Sequence, residues 1–203
     1  MNSGQLIQEA FIISPRKPVD QQLERNTILN VARDLFVEKG YRGVSMRQIA
    51  ATLNVSHGAI YYHFQNKASL LYSIVAEDFS LLDQELEKVM NMGISDKEKL
   101  IEIFMAYIKF GVTHSKHYEI MFLIKDENIN TLMNRGPNES YEKFAKAVYQ
   151  LCGPQVLTPQ KMWSIFLSLH GFVTHYIKCE ETFENIKGIA TSHAEFILTT
   201  IEI

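Results

Sequence analysis

The chain has 203 residues, of which 46% are hydrophobic and 11% aromatic, and this composition is enough for a packed core and argues against wholesale disorder. Five prolines and ten glycines are few, which favours long helices over a turn-rich β sandwich. No run approaches the roughly 20 apolar residues of a membrane span. No secretory signal is predicted, and Cys152 and Cys179 have no metal-like or redox-like spacing. We therefore expect a cytoplasmic protein with no membrane partner, cofactor or metal.

The charge is unevenly distributed along the chain. The net charge is −3 overall, but residues 1–67 carry 8 basic and 5 acidic residues, a net +3, whereas residues 68–203 carry 12 and 18, a net −6. A positive first third joined to an acidic remainder suits a chain that presents one end to a polyanion.

The first predicted elements are an arm and a long helix. Residues 1–19 are predicted to form a flexible arm, because two of residues 14–18 are prolines. A helix is predicted from about Asp20, a plausible N-cap, to Gly40, which follows the helix end where a left-handed residue is expected. One helical face carries the apolar residues Ile28, Val31, Ala32, Leu35 and Phe36.

Two short helices and a long one follow. Ser45 and Gln48 have the spacing of a capping box for a helix over 46–53. Ser56 is predicted to cap a second short helix over 57–64, and Asn66 to cap a long fourth helix from Lys67 to about Met90. The sequence thus predicts a domain over 20–67 that contains a helix-turn-helix.

The remainder, 68–203, is predicted to be a larger helical domain. Breaks at glycine, proline and asparagine delimit helices over approximately 96–113, 116–125, 138–152, 158–180 and 183–202. No strand-like alternation occurs in the sequence. The predicted fold is all-α with about nine helices: an N-terminal three-helix domain that contains the helix-turn-helix, and a larger helical domain.

The second short helix has the properties of a DNA-reading helix. A helix that enters a major groove about 12 Å wide needs small or polar residues at its N-terminus, and Gly58 and Ala59 meet that demand. Ile60 and Phe64 fix the helix to the domain. The side chains that remain available for phosphates or base edges are His57, Tyr61, Tyr62 and His63. Ser45, Arg47 and Lys67 lie near helix N-termini, where backbone N–H groups attract phosphate.

Residues 28–71 carry a familiar pattern. It runs through Ile28-Leu29, Ala32, Leu35-Phe36, Lys39-Gly40-Tyr41, Val44-Ser45-Met46-Arg47-Gln48-Ile49-Ala50, Leu53-Asn54-Val55-Ser56-His57-Gly58-Ala59-Ile60-Tyr61-Tyr62-His63-Phe64, Asn66-Lys67 and Leu70-Leu71. This pattern resembles the N-terminal signature of TetR-family repressors.

The resemblance implies a homodimer whose two recognition helices enter successive major grooves of palindromic double-stranded operator DNA. By position, it implies phosphate contacts for Ser45, Tyr61, His63 and Lys67. Base or flanking-phosphate contacts are implied for Arg47, His57, Gly58, Ala59 and Tyr62. The family often has threonine at the position of Ala59, so a methyl group replaces a hydroxyl there, which leaves the operator sequence open.

Two further surfaces are expected in the second domain. Residues 163–172 resemble the penultimate helix of many relatives, which pairs with the last helix and its copies as a four-helix bundle. The expected dimer-interface residues are Leu167, Gly171, Thr174, Ile189, His193, Phe196, Ile197 and Thr200. A mostly apolar pocket for a small-molecule effector is expected, with candidate lining residues Phe79, Leu82, Met105, Phe110, Met121, Phe122, Trp163, Phe166 and His170.

The predicted function is transcription regulation, as a repressor released from its operator by a lipophilic or aromatic ligand. A constitutive or architectural DNA-binding protein, or an activator without a ligand, remains an alternative. An enzyme is not expected, because no nucleophile elbow, phosphate loop or paired metal motif accompanies the cysteines and histidines. His114 and His117 are three residues apart, but without a third ligand of known position they are interpreted as a solvated pair.

Overall fold

A computed structural model describes residues 24–124, 135–153, 156–179 and 181–201. These four segments form nine helices and no strand, so the predicted all-α fold is confirmed. The helices are α1 (Arg25–Lys39), α2 (Met46–Thr52), α3 (His57–His63), α4 (Lys67–Met90), α5 (Asp96–Thr113), α6 (Ser115–Tyr118), α7 (Arg135–Cys152), α8 (Pro159–Lys178) and α9 (Phe183–Thr199). Each helix in this part of the chain is too short or too polar to cross a lipid bilayer. The predicted arm over 1–19 lies outside the described residues.

The first helix begins later than its sequence pattern suggested. Glu24 has an extended backbone, with ψ at 135°, and α1 therefore starts at Arg25 rather than near Asp20, which lies outside the described residues. The helix ends as predicted, at Gly40, whose φ of +70° is strained for any residue with a side chain. Ile28, Leu29 and Phe36 are fully buried and hold α1 against α4.

The helix-turn-helix forms where it was predicted. Ser45 accepts from the backbone of Gln48 while the Gln48 side chain accepts from the backbone of Ser45, which completes the capping box of α2. The turn after α2 passes through Asn54, which has a φ of +54°. Asparagine tolerates this left-handed conformation better than most residues, so the sequence Leu53-Asn54-Val55 closes the turn. Ser56 then caps α3 through the backbone N–H of Ala59.

Two elements of the second domain differ from the expectation. The segment predicted as one helix over 116–125 is the short α6, followed by a π-helical turn over Glu119–Leu123. Helix α7 was expected to begin at residue 138 because Gly136-Pro137 was interpreted as a break, but it begins at Arg135. Proline is accepted in the first turn of a helix, where its missing N–H has no intrahelical partner, so Pro137 does not break α7.

A single core cluster runs through both parts of the chain. Helix α5 packs against α4, α8 and α9 and lies at the centre of the second domain. Gly111 of α5 makes a close approach possible, because a Cβ atom there would lie 2.3 Å from Cγ1 of Val173 on α8. Helix α4 continues from the helix-turn-helix into this domain as one uninterrupted helix of 24 residues.

Candidate nucleic-acid interface and effector cavity

The recognition helix α3 presents polar aromatic side chains on its outer side. Tyr62 is 87% exposed and Tyr61 43% exposed, and His57 is also exposed. The rings of His57 and Tyr61 lie 4.6 Å apart in an edge-to-face arrangement. On the opposite side, Ile60 is fully buried, so the helix is anchored by one apolar side chain while the aromatic groups remain available to a ligand.

The small residues at the start of α3 leave its N-terminus narrow. Gly58 is exposed, and a Cβ atom there would have Ser56 Oγ, at 3.9 Å, as its nearest neighbour. Ala59 is half-buried and Arg47 of α2 is exposed. This end of α3 can therefore approach a groove without steric obstruction.

Two of the residues expected at phosphates are also bonded within the domain. The hydroxyl of Ser45 belongs to the α2 capping box and also donates to Gln48 Oε1 at 2.9 Å. The ammonium group of Lys67 donates to the carbonyl oxygens of Tyr41 and Val44, at 2.7 Å each, and lies 4.1 Å from the centroid of the Tyr41 ring. Both side chains hold the loop before α2 in place, and His63, half-buried at the end of α3, packs against Tyr62.

A cavity opens between helices α4, α5, α7 and α8. It encloses about 450 Å³ of space outside the protein atoms, its open mouth included. Its lining is mostly apolar and aromatic and consists of Leu82, Asp83, Glu85, Leu86, Ile103, Ala106, Tyr107, Phe122, Ser140, Tyr141, Phe144 and Phe166. The composition is that of small-molecule sites, which are lined mainly by apolar groups, but the free volume of the cavity is only about 30 Å³, and the rest of the 450 Å³ is solvent at the mouth and gaps between atoms.

The structure distributes the predicted cavity residues over several environments. Leu82, Phe122 and Phe166 line the cavity, and Phe79 lines an adjoining cleft. The other predicted residues lie elsewhere: Phe110 and Met121 are buried in the core, Met105 is partly buried against it, and Trp163 and His170 lie beside Phe166. Tyr107, Tyr141 and Phe144 were missed, because a helical apolar stripe does not tell a cavity wall from solid core.

Three polar side chains cross the core beside this cavity. Tyr107 lies 2.8 Å from the hydroxyl of Tyr118, which lies 2.6 Å from Nδ1 of His170. Burial lowers the pKa of His170, which favours the neutral ring. Either tyrosine hydroxyl can be the donor between Tyr107 and Tyr118, and the tautomer of His170 decides the direction of its bond with Tyr118. Burial raises the pKa of both tyrosines, so these three hydrogen-bonded side chains are uncharged near neutral pH.

Comparison with known proteins assigns the family. The model for bacterial regulatory proteins of the tetR family matches residues 28–74, which include the whole helix-turn-helix. Residues 28–74 of the chain therefore form a tetR-family domain.

Two curated relatives match this chain over part of their length, and one of them is named a transcriptional repressor. The Transposon Tn10 TetC protein of Escherichia coli is 36% identical over 84 residues, which cover 40% of this chain and 43% of the relative. The transcriptional repressor KstR2 of Mycolicibacterium smegmatis is 24% identical over 115 residues, which cover 57% and 55%. The chain thus spans about half the length of these curated relatives.

The fold extends beyond the sequence match. The transcriptional regulator FadR from Bacillus subtilis, solved in complex with stearoyl-CoA, superposes with a TM-score of 0.72 at 17% identity, covering 88% of this chain and 100% of that one. At this identity the likeness shows the fold of the chain and leaves its ligand open.

The last two helices, α8 and α9, expose an apolar face. Leu167 of α8 is 46% exposed, and Ile189 and Phe196 of α9 are 53% and 64% exposed. The remaining residues expected at the interface are Gly171 and Thr200, which are exposed, Thr174 and His193, which are half-buried, and Ile197, which is 2% exposed. Ile197 is directed into its own subunit's core, because its neighbour Phe196 takes the outward position on α9.

An ionic cluster connects the helix-turn-helix region to the second domain. Asp78 of α4 is fully buried, and its carboxylate accepts two hydrogen bonds from Arg33 of α1. Its Oδ1 atom also lies 2.9 Å from Nδ1 of His117 on α6. The predicted pairing of His117 with His114 is a ring contact at 5.4 Å, edge to face. Sequence spacing could not identify Asp78 as the partner, because Arg33 and His117 lie 45 and 39 residues away from it.

Proposed function

We propose that this chain is a dimeric DNA-binding repressor that leaves its palindromic operator when a small lipophilic or aromatic effector enters the second domain. The observation that carries the proposal is the exposed row His57, Tyr61 and Tyr62 on the recognition helix. This helix is capped at its N-terminus and is anchored to the domain by its buried side. Exposed aromatic side chains leave apolar ring surface in water and gain no stability from packing. Contact of their polar groups with phosphates and base edges gives them a role.

We assign the domains and contacts accordingly. The arm is residues 1–19, the DNA-binding domain 20–67, and the ligand-binding and dimerisation domain 68–203. The DNA contacts proposed are Ser45, Arg47, His57, Gly58, Ala59, Tyr61, Tyr62, His63 and Lys67. Ser45 and Lys67 contribute mainly by positioning the α2 N-terminus, because their polar atoms are already bonded within the domain. The phosphate oxygens then accept hydrogen bonds from the backbone N–H groups at that helix end.

The dimer forms through the apolar face of α8 and α9. Leu167, Ile189 and Phe196 would lose their solvent exposure in a four-helix bundle with a second copy. Each large apolar side chain that becomes buried contributes about 1.5–3 kcal/mol, so three per subunit, counted twice, are a substantial driving force. The symmetry of such a dimer gives two recognition helices related by a two-fold axis, as a palindrome requires.

Effector and DNA are coupled through α4. This helix lines the cavity with Leu82 and begins at Lys67 in the helix-turn-helix, and the Arg33–Asp78 pair ties α1 to it. Operator binding requires the two recognition helices about 34 Å apart. An effector that binds better when α4 is tilted from that position must weaken DNA binding, since coupling between two sites is reciprocal. A tenfold change needs about 1.4 kcal/mol of differential affinity.

Two observations favour a regulator over an enzyme. The relative KstR2 is named a transcriptional repressor, and burial raises the pKa of the Cys152 thiol to about 11, which leaves little of the reactive thiolate near neutral pH. Cys179 lies 3.8 Å from Nε2 of His175, but both are exposed at the end of α8, away from the effector cavity. The B. subtilis regulator of this fold was solved in complex with stearoyl-CoA, which further supports a regulator that binds a ligand.

The test is selection of bound DNA from a random pool by the purified protein. We expect an inverted repeat whose half-sites are separated by about one helical turn, or a multiple of it. A selected sequence without a repeat, or no enrichment at all, would reject the dimeric repressor. If the operator is found but no aromatic or lipophilic compound changes its affinity, a constitutive DNA-binding protein replaces the ligand-released repressor.

A further inference from the structure

We infer that Arg25, at the start of α1, binds a backbone phosphate of duplex DNA beside the end of the recognition helix α3, and that the ring of Phe64 positions its guanidinium there. This inference adds a residue to the proposed DNA interface and rests on the proposed function for its setting. The phosphate contact itself can be measured on any duplex, whether or not it contains an operator.

Arg25 reaches from α1 to the end of the recognition helix. Its guanidinium carbon lies 4.9 Å from the centroid of the Phe64 ring. Phe64 directly follows α3, is 3% exposed, and lies two positions after Tyr62, the last residue of the exposed row on α3. The contact therefore places a positive charge beside the C-terminal end of the helix that is proposed to enter the groove.

The length of α3 brings this end close to phosphates. Helix α3 has seven residues, which is about 10 Å of helix at 1.5 Å per residue. The major groove is about 12 Å wide, and phosphates border it on both sides. In homeodomains, which share this motif, the C-terminal end of the recognition helix contacts the DNA backbone. A cation at the same end of α3 thus lies within reach of a phosphate when the helix is in the groove.

The guanidinium of Arg25 is available to DNA, whereas two other cations of this region are engaged. Arg33 is 3% exposed and is bound to Asp78, and Lys67 donates to two backbone carbonyls. Arg25 is exposed, and no carboxylate pairs with it among the residues that the structure describes. A ring contact occupies the face of a guanidinium and leaves the N–H donors at its edge, where they match phosphate oxygens in pairs.

The helix that Arg25 begins does not explain an arginine at this position. Arg25 is the first residue of α1, where the positive end of the helix dipole disfavours a cation. A cation over a ring gains only a small stabilisation when it is exposed to water. A phosphate beside Arg25 would be attracted by its full charge, so this side chain gains more from bound DNA than from its own helix.

The experiment measures DNA affinity as a function of salt. Fluorescence anisotropy compares the parent chain and Arg25→Gln on the selected operator and on a scrambled duplex of the same length, between about 50 and 200 mM salt. Each lost phosphate contact lowers the slope of log affinity against log salt by about 0.9, so a dimer should lose about 1.8. We expect the affinity to fall roughly tenfold on both duplexes, because both present the same phosphates.

Matched variants separate a phosphate contact from a general effect of charge. Arg25→Lys keeps the positive charge and should retain the salt slope of the parent. Lys109→Gln removes the same charge from a similar pair in the second domain, where Nζ of Lys109 lies 5.9 Å from the centroid of the Phe183 ring. This control should change neither affinity nor slope. Circular dichroism of each variant verifies that the helices are intact.

Phe64→Leu tests the positioning role of the ring. Leucine keeps an apolar side chain at this buried position but offers no ring face to Arg25. Affinity should fall less than in Arg25→Gln, and the double variant should bind no more weakly than Arg25→Gln alone, because the ring acts only through the arginine. A loss that adds in full to that of Arg25→Gln would show that Phe64 does not position Arg25.

The inference is overturned if Arg25→Gln keeps the affinity and slope of the parent, or if Lys109→Gln lowers the slope as much. In the first case, a parent chain that still prefers its operator leaves the repressor proposal standing. If the parent binds both duplexes equally and Arg25→Gln lowers the slope, the phosphate contact stands and the operator-specific repressor is wrong. A parent chain that binds neither duplex at low salt contradicts both.

Discussion

Asp78 and Arg33 form a buried two-point ion pair between α4 and α1. Nη2 of Arg33 donates to Oδ1 of Asp78 at 2.7 Å and Nε donates to Oδ2 at 3.1 Å, with Asp78 fully buried and Arg33 3% exposed. His117 of α6 reaches the same Oδ1 atom at 2.9 Å. One carboxylate thus connects the first helix, the connecting helix and the second domain.

Removing the charge of Asp78 should destabilise the protein strongly. Asp78→Asn removes the buried counter-charge of the Arg33 guanidinium and leaves it only the longer pair with the part-exposed Glu77, at 3.4 Å, and breaking a buried pair costs about 3–5 kcal/mol. Urea unfolding followed by circular dichroism measures the loss. The control is Lys116→Gln, which breaks the exposed 2.9 Å pair between α6 and Asp34 of α1 and should cost less than about 1 kcal/mol. Equal losses in the two variants would show that the buried pair has no special role.

Replacing Tyr62 should affect DNA and not the fold. Its side chain is 87% exposed, so Tyr62→Ala should change the free energy of unfolding by less than about 0.5 kcal/mol. We expect specific DNA affinity to fall roughly tenfold, as for the loss of one base contact, with a smaller loss on non-specific DNA. Fluorescence anisotropy on both DNAs measures this. Tyr72→Ala, at a 45% exposed tyrosine of α4, is the control that should leave DNA binding unchanged. Unaltered discrimination in Tyr62→Ala would remove this residue from the interface.

The close approach of α5 and α8 should depend on Gly111, which has no side chain. Gly111→Ala places a methyl group 2.3 Å from Val173 Cγ1, and overpacking of this kind costs about 1–3 kcal/mol. Val173→Ala alone should cost roughly 1–2 kcal/mol through lost burial. The double variant should be more stable than the sum of the single losses predicts, by more than about 0.5 kcal/mol, because the new methyl fills the space that Val173 vacated. Strict additivity in thermal unfolding would contradict the contact.

Stability should fall in mildly acidic solution because His170 is held neutral. Burial lowers its pKa below the ordinary 6.5, so the unfolded chain binds the proton more readily than the folded one. The free energy of unfolding should therefore be highest above pH 6.5 and decline as the pH falls through that value. Burial lowers the pKa of His114 as well, in the same direction. His170→Gln, whose amide oxygen can accept from Tyr118, should reduce the decline. A variant with the same pH dependence as the parent would exclude His170 as a source.

The sequence was sufficient for the all-α fold and for the capped ends of α2, α3 and α4, but not for the start of α1 or for the segment over 116–125. Hydrophobic spacing and capping residues act within a few positions of one another, so Ser45 with Gln48 and Ser56 with Ala59 could be paired from the sequence alone. The start of α7 was missed because Pro137 was taken as a break, although proline fits the first turn of a helix.

The cavity and the ionic cluster could be predicted only in part. Phe110 and Phe166 look alike in the sequence, since both are aromatic residues on amphipathic helices, yet Phe110 is core and Phe166 lines the cavity. Which apolar residue meets empty space depends on how four helices separate, a property of the packing rather than of any one helix. The Asp78 cluster likewise joins residues about 40 positions apart, beyond the reach of local pattern.

The most direct test of the account is the stoichiometry and affinity of the protein on its selected DNA. Sedimentation of labelled DNA with the parent chain should give complexes containing an even number of chains on the palindrome, bound at least tenfold more tightly than scrambled DNA. The Phe196→Asp variant, which places a charge on the 64% exposed position of the α8–α9 face, should sediment as a folded monomer and lose that preference. A parent chain that is monomeric on DNA, or that binds palindrome and scrambled sequence equally, would contradict the account.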